Sequence, residues 1–192
     1  MLLNYQGSII AALLGLGLAA YFAIRILSIK VTDSKVQSLS DAIRKGSMAF
    51  LKRQYSWVSI FVVILAVLIS TLTDWGYPYG AIAFIGGALF SSLAGFIGMR
   101  IATAANGRTT EAARDGGTLK ALPVAFRGGA VMGFSVAGLG LLGVALGYWV
   151  FIDIMDLENG YDILAAIGLG GCLLYTSPSP RDRYGSRMPS SA

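Results

Sequence analysis

Long, nearly uncharged hydrophobic runs are the main pattern along this chain. An α-helix needs about 20 residues to cross a hydrocarbon core roughly 30 Å thick. Four runs reach that length, and they cover about residues 9–29, 54–73, 75–99 and 128–152. A fifth run begins at Ile163 and ends near Leu174, which is too short to span. The pattern predicts an all-α fold: a polytopic transmembrane helix bundle with four complete spans and a truncated fifth.

The composition agrees with a membrane location. Hydrophobic residues make up 55% of the 192-residue chain and charged residues 13%, and the mean hydropathy is +0.68. A water-soluble domain of this size has too little interior to bury that much apolar surface. No basic residue precedes the first run, so we interpret it as a retained span and not as a secretory signal. Arg25 lies near the end of this run, where an arginine anchors a helix by extending to the headgroups.

Lysine and arginine concentrate in two of the connections between the runs. The first basic connection contains Lys30, Lys35, Arg44, Lys45, Lys52 and Arg53, and the second contains Arg100, Arg108, Arg114, Lys120 and Arg127. Residues 1–8, 74–78 and 153–162 contain no lysine or arginine. Basic loops stay in the cytoplasm, so we expect a multi-pass protein of the cell membrane with its N-terminus outside. This arrangement explains the net charge of +5 without nucleic acid, which we do not expect as a partner.

Both basic connections are expected to be partly helical. Ser40 is a candidate N-cap for a helix that continues through Tyr55 into the second span. The alanine-rich stretch 102–113 extends the third span until Gly116 and Gly117 end it, and Pro123 begins the approach to the fourth.

Several common catalytic and metal-binding sites are excluded by what the chain lacks. It has no histidine, and Cys172 is its only cysteine, so imidazole-based triads and cysteine or histidine zinc sites are ruled out within it. Gly138, Gly140 and Gly143 match a dinucleotide-binding pattern, but they lie inside an apolar run instead of following a strand. We predict that glycines in this run serve close helix packing, on the basis of the Gly129/Gly133 and Gly143/Gly147 spacings.

Acidic residues give no clear site. The cluster Asp153, Asp156, Glu158 and Asp162 lacks the spacing of a calcium loop and is interpreted as a solvated loop. Glu111 and Asp115, with Arg108 and Arg114 nearby, are interpreted as surface ion-pairing residues of a helix. Together with Asp33 and Asp41, these acids are too scattered to predict a catalytic centre. From the residues alone, a pump, a transporter and a non-catalytic membrane scaffold all remain open.

Three strings resemble one family, the ion-pumping membrane-bound inorganic pyrophosphatases. They are AIRKGSMAFLKRQY (42–55), GALFSSLAGFIGMRIATAANGRTTEAAR (87–114) and KALPVAFRGGAVMGFSVAGLGLLG (120–143), in the family's order. The resemblance covers most of the chain up to about Gly171. It implies a homodimeric pump of about sixteen spans that hydrolyses cytoplasmic pyrophosphate with Mg²⁺, in some members also with K⁺, and moves protons or sodium ions.

The same resemblance implies that the catalytic motifs are absent here. In the family, the aspartate- and lysine-bearing motifs that bind magnesium pyrophosphate follow the fifth helix. No catalytic, cofactor-binding or metal-binding residue is therefore assigned. We expect residues 1–171 to be the N-terminal membrane domain of a pump, inactive alone, and residues 172–192 to be a foreign or disordered tail. The main alternative is a non-enzymatic membrane scaffold or assembly subunit; a secondary transporter ranks third, because no carboxylate lies within a span.

Overall fold

The computed structural model describes residues 2–72 and 78–172, and all the regular secondary structure within them is helical. Helix α1 is Leu2–Leu27, α2 is Ser34–Leu72, α3 is Tyr79–Tyr148, and α4 is Gly160–Cys172. A π-helical turn, Trp149–Ile154, continues α3. Residues 73–77 lie outside the described residues, as does the expected tail 172–192 except for Cys172, which is the last residue of α4.

Helix α3 bends sharply at a pair of glycines. Gly116 (φ −164°, ψ 23°) and Gly117 (φ 65°, ψ −161°) depart from helical geometry, and the positive φ of Gly117 strains any residue with a side chain. The two limbs are called α3a, residues 79–115, and α3b, residues 118–148. The break at these glycines was predicted correctly, but α3b has already begun when Pro123 is reached.

The second helix begins earlier than predicted. It starts at Ser34 and not near Ser40, because Asp33 is its N-cap: Asp33 Oδ1 accepts hydrogen bonds from the backbone N–H groups of Lys35 (2.7 Å) and Val36 (3.4 Å). The helix then runs without interruption for 39 residues, about 58 Å at 1.5 Å per residue. Its continuation from the basic connection into the apolar run is confirmed.

The predicted run boundaries shift where helices extend beyond the apolar stretches. Three helical stretches are long and apolar enough to cross a membrane: Tyr5–Leu27, Ser34–Leu72 and Tyr79–Ile154; Gly160–Cys172 is apolar but shorter. The fourth predicted run and residues 79–99 of the third fall within Tyr79–Ile154, on either side of the glycine bend. Large apolar side chains remain on the surface of these helices, among them Leu14, Ile24, Trp57 and Leu72. Such a surface is suited to lipid and not to water.

Helix α3 is the centre of the packing, and two apolar clusters form on it. In one, Ile26 of α1 is fully buried near Ile101 of α3a and Val131 of α3b. In the other, Phe84 of α3a and Ile163 of α4 are fully buried, and the cluster also includes residues near the end of α2. All the other helices therefore pack on α3, which fixes the connection between α1 and α2 against α3a.

Glycines allow α3a and α4 to touch backbone to backbone. A Cβ placed on Gly87 would lie 2.1 Å from the carbonyl oxygen of Ile167, and one on Gly170 would lie 2.1 Å from that of Phe84. The Ser91 hydroxyl donates to the Gly171 carbonyl oxygen at 2.7 Å in the same contact. This crossing tolerates no side chain at either glycine, because a backbone neighbour cannot rotate away.

The predicted glycine packing in α3b is only half right. Gly143 and Gly147 are buried, and added Cβ atoms would lie 3.2 Å from the Phe90 ring and 2.2 Å from the side chain of Ile167. Gly129 and Gly133 instead have nothing within 4 Å of an added Cβ. The spacing predicts that two glycines share a face, but it does not show which face meets a neighbour.

Candidate functional site

An open polar pocket lies where the connection between α1 and α2 meets the end of α3a. Its volume is about 670 Å³. The residues that line it are Thr32, Asp33, Ser34, Lys35, Glu111, Arg114 and Asp115. We call this the Asp33–Arg114 pocket. It brings together three of the four carboxylates that the sequence left scattered; Asp41 lies further along α2 and is not part of it.

Asp33 joins two elements at this pocket. Besides capping α2, its carboxylate forms an ion pair with Arg114 of α3a. The backbone N–H groups of Lys35 and Val36, and then the charge of Arg114, lower the pKa of Asp33 below its usual value. The pair is exposed to solvent, so its role is to orient the connection more than to stabilise the fold.

Arg108 fixes the C-terminal end of α1. Its Nε donates to the carbonyl oxygen of Ile29 (3.0 Å), and Nη2 lies 3.4 Å from that of Leu27. Its Nη1 donates to Ala104 of its own helix (2.7 Å). The planar guanidinium can reach several carbonyls left without partners at a helix end, which a lysine cannot do in the same geometry. Partial burial lowers the pKa of Arg108.

Glu111 is the most buried residue of the pocket lining and is only 7% exposed. Its Oε1 accepts a hydrogen bond from the backbone N–H of Thr32 at 3.3 Å. Its other carboxylate oxygen, Oε2, is buried, and no described residue donates a hydrogen bond to it. A buried carboxylate oxygen without a donor is costly, so this group is the most unusual in the described part of the chain.

The interpretation of Glu111 as a surface ion-pairing residue is wrong. A surface ion pair does form here, but it joins Arg114 to Asp33, 81 residues apart in sequence. Arg108 meanwhile binds backbone carbonyls. A signal for burial was present at i, i+4 spacing, since Thr103, Gly107 and Glu111 share one helical face and all are buried. Gly107 packs against α2, where an added Cβ would lie 2.1 Å from Ser40 Oγ.

The other candidate motifs have ordinary structural roles. Gly138, Gly140 and Gly143 lie within the helical limb α3b, so no strand precedes them and the dinucleotide pattern is coincidental. All four acidic residues of the cluster are exposed, but only Asp156 and Glu158 lie in the loop; Asp153 belongs to the π-helical turn and Asp162 to the first turn of α4. Within residues 2–72 and 78–172, no three His, Cys, Asp or Glu side chains are grouped so as to hold a metal ion.

Arg25 has the surroundings of an interfacial anchor. Its Nε donates to the Tyr21 hydroxyl at 3.2 Å, and its guanidinium carbon lies 5.6 Å from the centre of the Tyr21 ring. Both side chains are exposed on the outer surface of α1, within two turns of its end at Leu27. An arginine supported by an aromatic ring at this position is typical of a membrane boundary.

Comparison with known proteins places these features in a family. The sequence profile described as Inorganic H+ pyrophosphatase matches residues 13–176. A K(+)-insensitive pyrophosphate-energized proton pump of Methanosarcina mazei is 42% identical over 158 residues, which is 82% of this chain and 23% of that protein. A protein of the same name from Pyrobaculum aerophilum is 38% identical over 169 residues, 86% of this chain and 23% of the relative.

A third relative is named for a different transported ion and for stimulation by potassium. The Clostridium tetani protein, provisionally named a K(+)-stimulated pyrophosphate-energized sodium pump, is 39% identical over 159 residues, 83% of this chain and 23% of the relative. The chain thus spans about a quarter of the length of the curated relatives that it matches. The profile match extends over most of the chain and contains all three strings whose resemblance pointed to these pumps, and on that ground the chain belongs to the inorganic H+ pyrophosphatase family.

Proposed function

We propose that this chain is the N-terminal part of a membrane pump that couples pyrophosphate hydrolysis to the export of protons or sodium ions. The observation that carries the proposal is the family match over residues 13–176, together with relatives whose names specify pyrophosphate-energised pumping. The activity belongs to a longer protein, of which this chain corresponds to the region before the substrate-binding motifs.

The proposed topology has four spans with the N-terminus outside. Helices α1 and α2 each supply one span, and the limbs α3a and α3b supply two more, separated by the bend at Gly116 and Gly117. The Asp33–Arg114 pocket and the bend then lie on the cytoplasmic side, together with the basic residues of both connections. Support comes from the length and apolar surface of these helices and from the distribution of lysine and arginine.

The role that we assign to this region is to support a catalytic core formed elsewhere. Pyrophosphate carries a high charge density, so its site needs several carboxylates to hold bridging Mg²⁺ and lysines to meet the phosphates. The Asp33–Arg114 pocket does not offer that set, since Asp33 is already paired with Arg114. Mg²⁺, and K⁺ if it is required, would bind to residues of the longer protein, which would act as a homodimer.

A chimeric protein tests the proposal. Residues 1–171 are joined to the remaining part of the Methanosarcina mazei pump, and phosphate release from pyrophosphate is measured in membranes with and without Mg²⁺. We expect Mg²⁺-dependent hydrolysis by the chimera and none above background by the 192-residue chain. Ion uptake into vesicles, measured with and without Na⁺ and K⁺, identifies the transported ion and the potassium requirement. A folded chimera that hydrolyses no pyrophosphate would refute the proposed function.

A further inference from the structure

Glu111 has a carboxylate that the described residues satisfy only in part. Oε1 accepts from Thr32, while Oε2 is buried without a donor. Arg114 already pairs with Asp33, and Arg108 donates to Ile29 and Ala104. The third cation nearby, Lys35, is exposed and does not donate to Oε2. A buried carboxylate oxygen without a donor is destabilising, so a hydrogen-bond donor is expected to reach it in the functional protein.

The Asp33–Arg114 pocket gives such a donor a route. Glu111 lines this pocket, and the last torsion of a glutamate side chain is soft, so its carboxylate can reorient towards a group that enters. The lining carries three carboxylates, Asp33, Glu111 and Asp115, against the two cationic side chains of Lys35 and Arg114. The excess of one negative charge favours an occupant with one positive charge.

A metal ion is the poorer occupant. No three His, Cys, Asp or Glu side chains of the described residues are grouped to hold one, and two cationic side chains line the same pocket. Magnesium in particular needs closely converging oxygen ligands. An organic cation with N–H donors requires only one carboxylate oxygen that lacks a donor, such as Glu111 Oε2, and it hydrogen-bonds to that oxygen directly.

We propose that the Asp33–Arg114 pocket receives one lysine or arginine side chain from the part of the complete pump that lies beyond this chain, and that Glu111 is its counter-ion. The inference rests on the proposed function in one respect, that the chain belongs to a longer protein. The pocket thereby becomes a docking point between the N-terminal helices and the rest of the molecule, with specificity set by a buried ion pair.

Glu111→Gln tests the proposal through the sign of its effect. The glutamine oxygen still accepts from Thr32, while the charge is removed. In the 192-residue chain, the variant should raise the midpoint of thermal unfolding in detergent by a few degrees, because an uncompensated buried charge is lost. In the chimeric pump it should lower the midpoint, because the incoming cation loses its counter-ion. Asp115→Asn, which neutralises an exposed carboxylate of the same pocket, is the matched control. Its shift of the unfolding midpoint should not change sign between the 192-residue chain and the chimera.

Further measurements identify the occupant. In the chimera, lysines and arginines of the appended part are replaced by methionine one at a time, and a double-mutant cycle with Glu111→Gln should show strong coupling for one of them. Absence of coupling at every position, or the same direction of shift in both proteins, would overturn the proposal. So would stabilisation of the 192-residue chain by Mg²⁺ that Glu111→Gln abolishes, which would identify a metal site. Pyrophosphate hydrolysis is measured separately. A chimera that hydrolyses pyrophosphate, but in which Glu111→Gln shifts the unfolding midpoint in the same direction as in the 192-residue chain, would reject this inference and leave the proposed function standing.

Discussion

Asp33 and Arg108 hold the short connection between α1 and α2 from its two ends. Arg108 binds the carbonyls at the end of α1, and Asp33 caps the start of α2 while pairing with Arg114. Both contacts lead to α3a, so a six-residue connection is tied to the central helix through side chains distant in sequence. Orphan backbone groups at helix ends are the physical reason, because each needs a partner where water is scarce.

The titration of Asp33 gives a pH-dependent prediction. Its pKa is lowered in the folded state, so the stability that it contributes is present above its unfolded value of 3.8 and is lost as the pH falls below that value. Asp33→Asn keeps an N-cap side chain but removes the charge. In detergent unfolding measured from pH 6 downwards, the variant should lose less stability on acidification than the wild type. Asp41→Asn, a carboxyl change inside the same helix, should retain the wild-type dependence, and identical profiles for all three proteins would contradict the assignment.

At the scale of elements, the crossing of α3a and α4 depends on two glycines. Gly87 and Gly170 lie where each helix touches backbone atoms of the other, with no flexible side chain between them. Helices in a membrane gain little from burying apolar surface against each other, so close van der Waals contact has to supply the attraction. The small residues therefore determine where α4 docks.

Gly87→Ala should push α3a and α4 apart at this crossing. Its Cβ meets the Ile167 carbonyl, and overpacking of this kind typically costs about 1–3 kcal/mol. The neighbouring Gly86→Ala is the control, because nothing lies within 4 Å of an added Cβ there. It should be neutral or stabilising, since alanine favours a helix by about 1 kcal/mol over glycine. The measurement is thermal unfolding in detergent; equal midpoints for the two variants would show that the crossing does not control stability.

For the whole molecule, the proposed topology places the two basic connections on one side and the acidic π-helical turn on the other. In this topology, lipid covers the exposed apolar surfaces of α1 and α2, which the chain itself leaves largely uncovered. The bend at Gly116 and Gly117 brings α3b back against α3a, where Val131 packs with Ile101. In the proposed topology, α3b therefore returns across the membrane instead of continuing into the cytoplasm.

Cysteine labelling checks this topology. Cysteines are placed singly at Ser38 and at Glu158, both exposed, in a background from which Cys172 has been removed. In sealed cells, a membrane-impermeant maleimide should label position 158 and should reach position 38 only after permeabilisation. Labelling of both positions in sealed cells would refute the four-span arrangement.

Much of the helical framework follows from local sequence, and the exceptions share one cause. The apolar runs, the glycine bend and the helix that carries the basic connection into the membrane are all predictable, because each depends on neighbours in sequence. The helix start at Asp33 was missed since Ser40 offers an equally good local cap. The difference is that Asp33 has a second partner, Arg114, which only the folded chain brings near.

The sequence by itself determined that this chain is helical and apolar enough for a membrane, and that its strings match one family of pumps. Hydrophobicity and helix-breaking residues act over a few positions, so they can be read along the chain. Only the tertiary structure decided that Gly143 and Gly147 face a neighbour while Gly129 and Gly133 do not, and that Glu111 is buried with an oxygen lacking a donor. Those outcomes depend on which helix lies beside each face, and residues far apart in sequence decide that together.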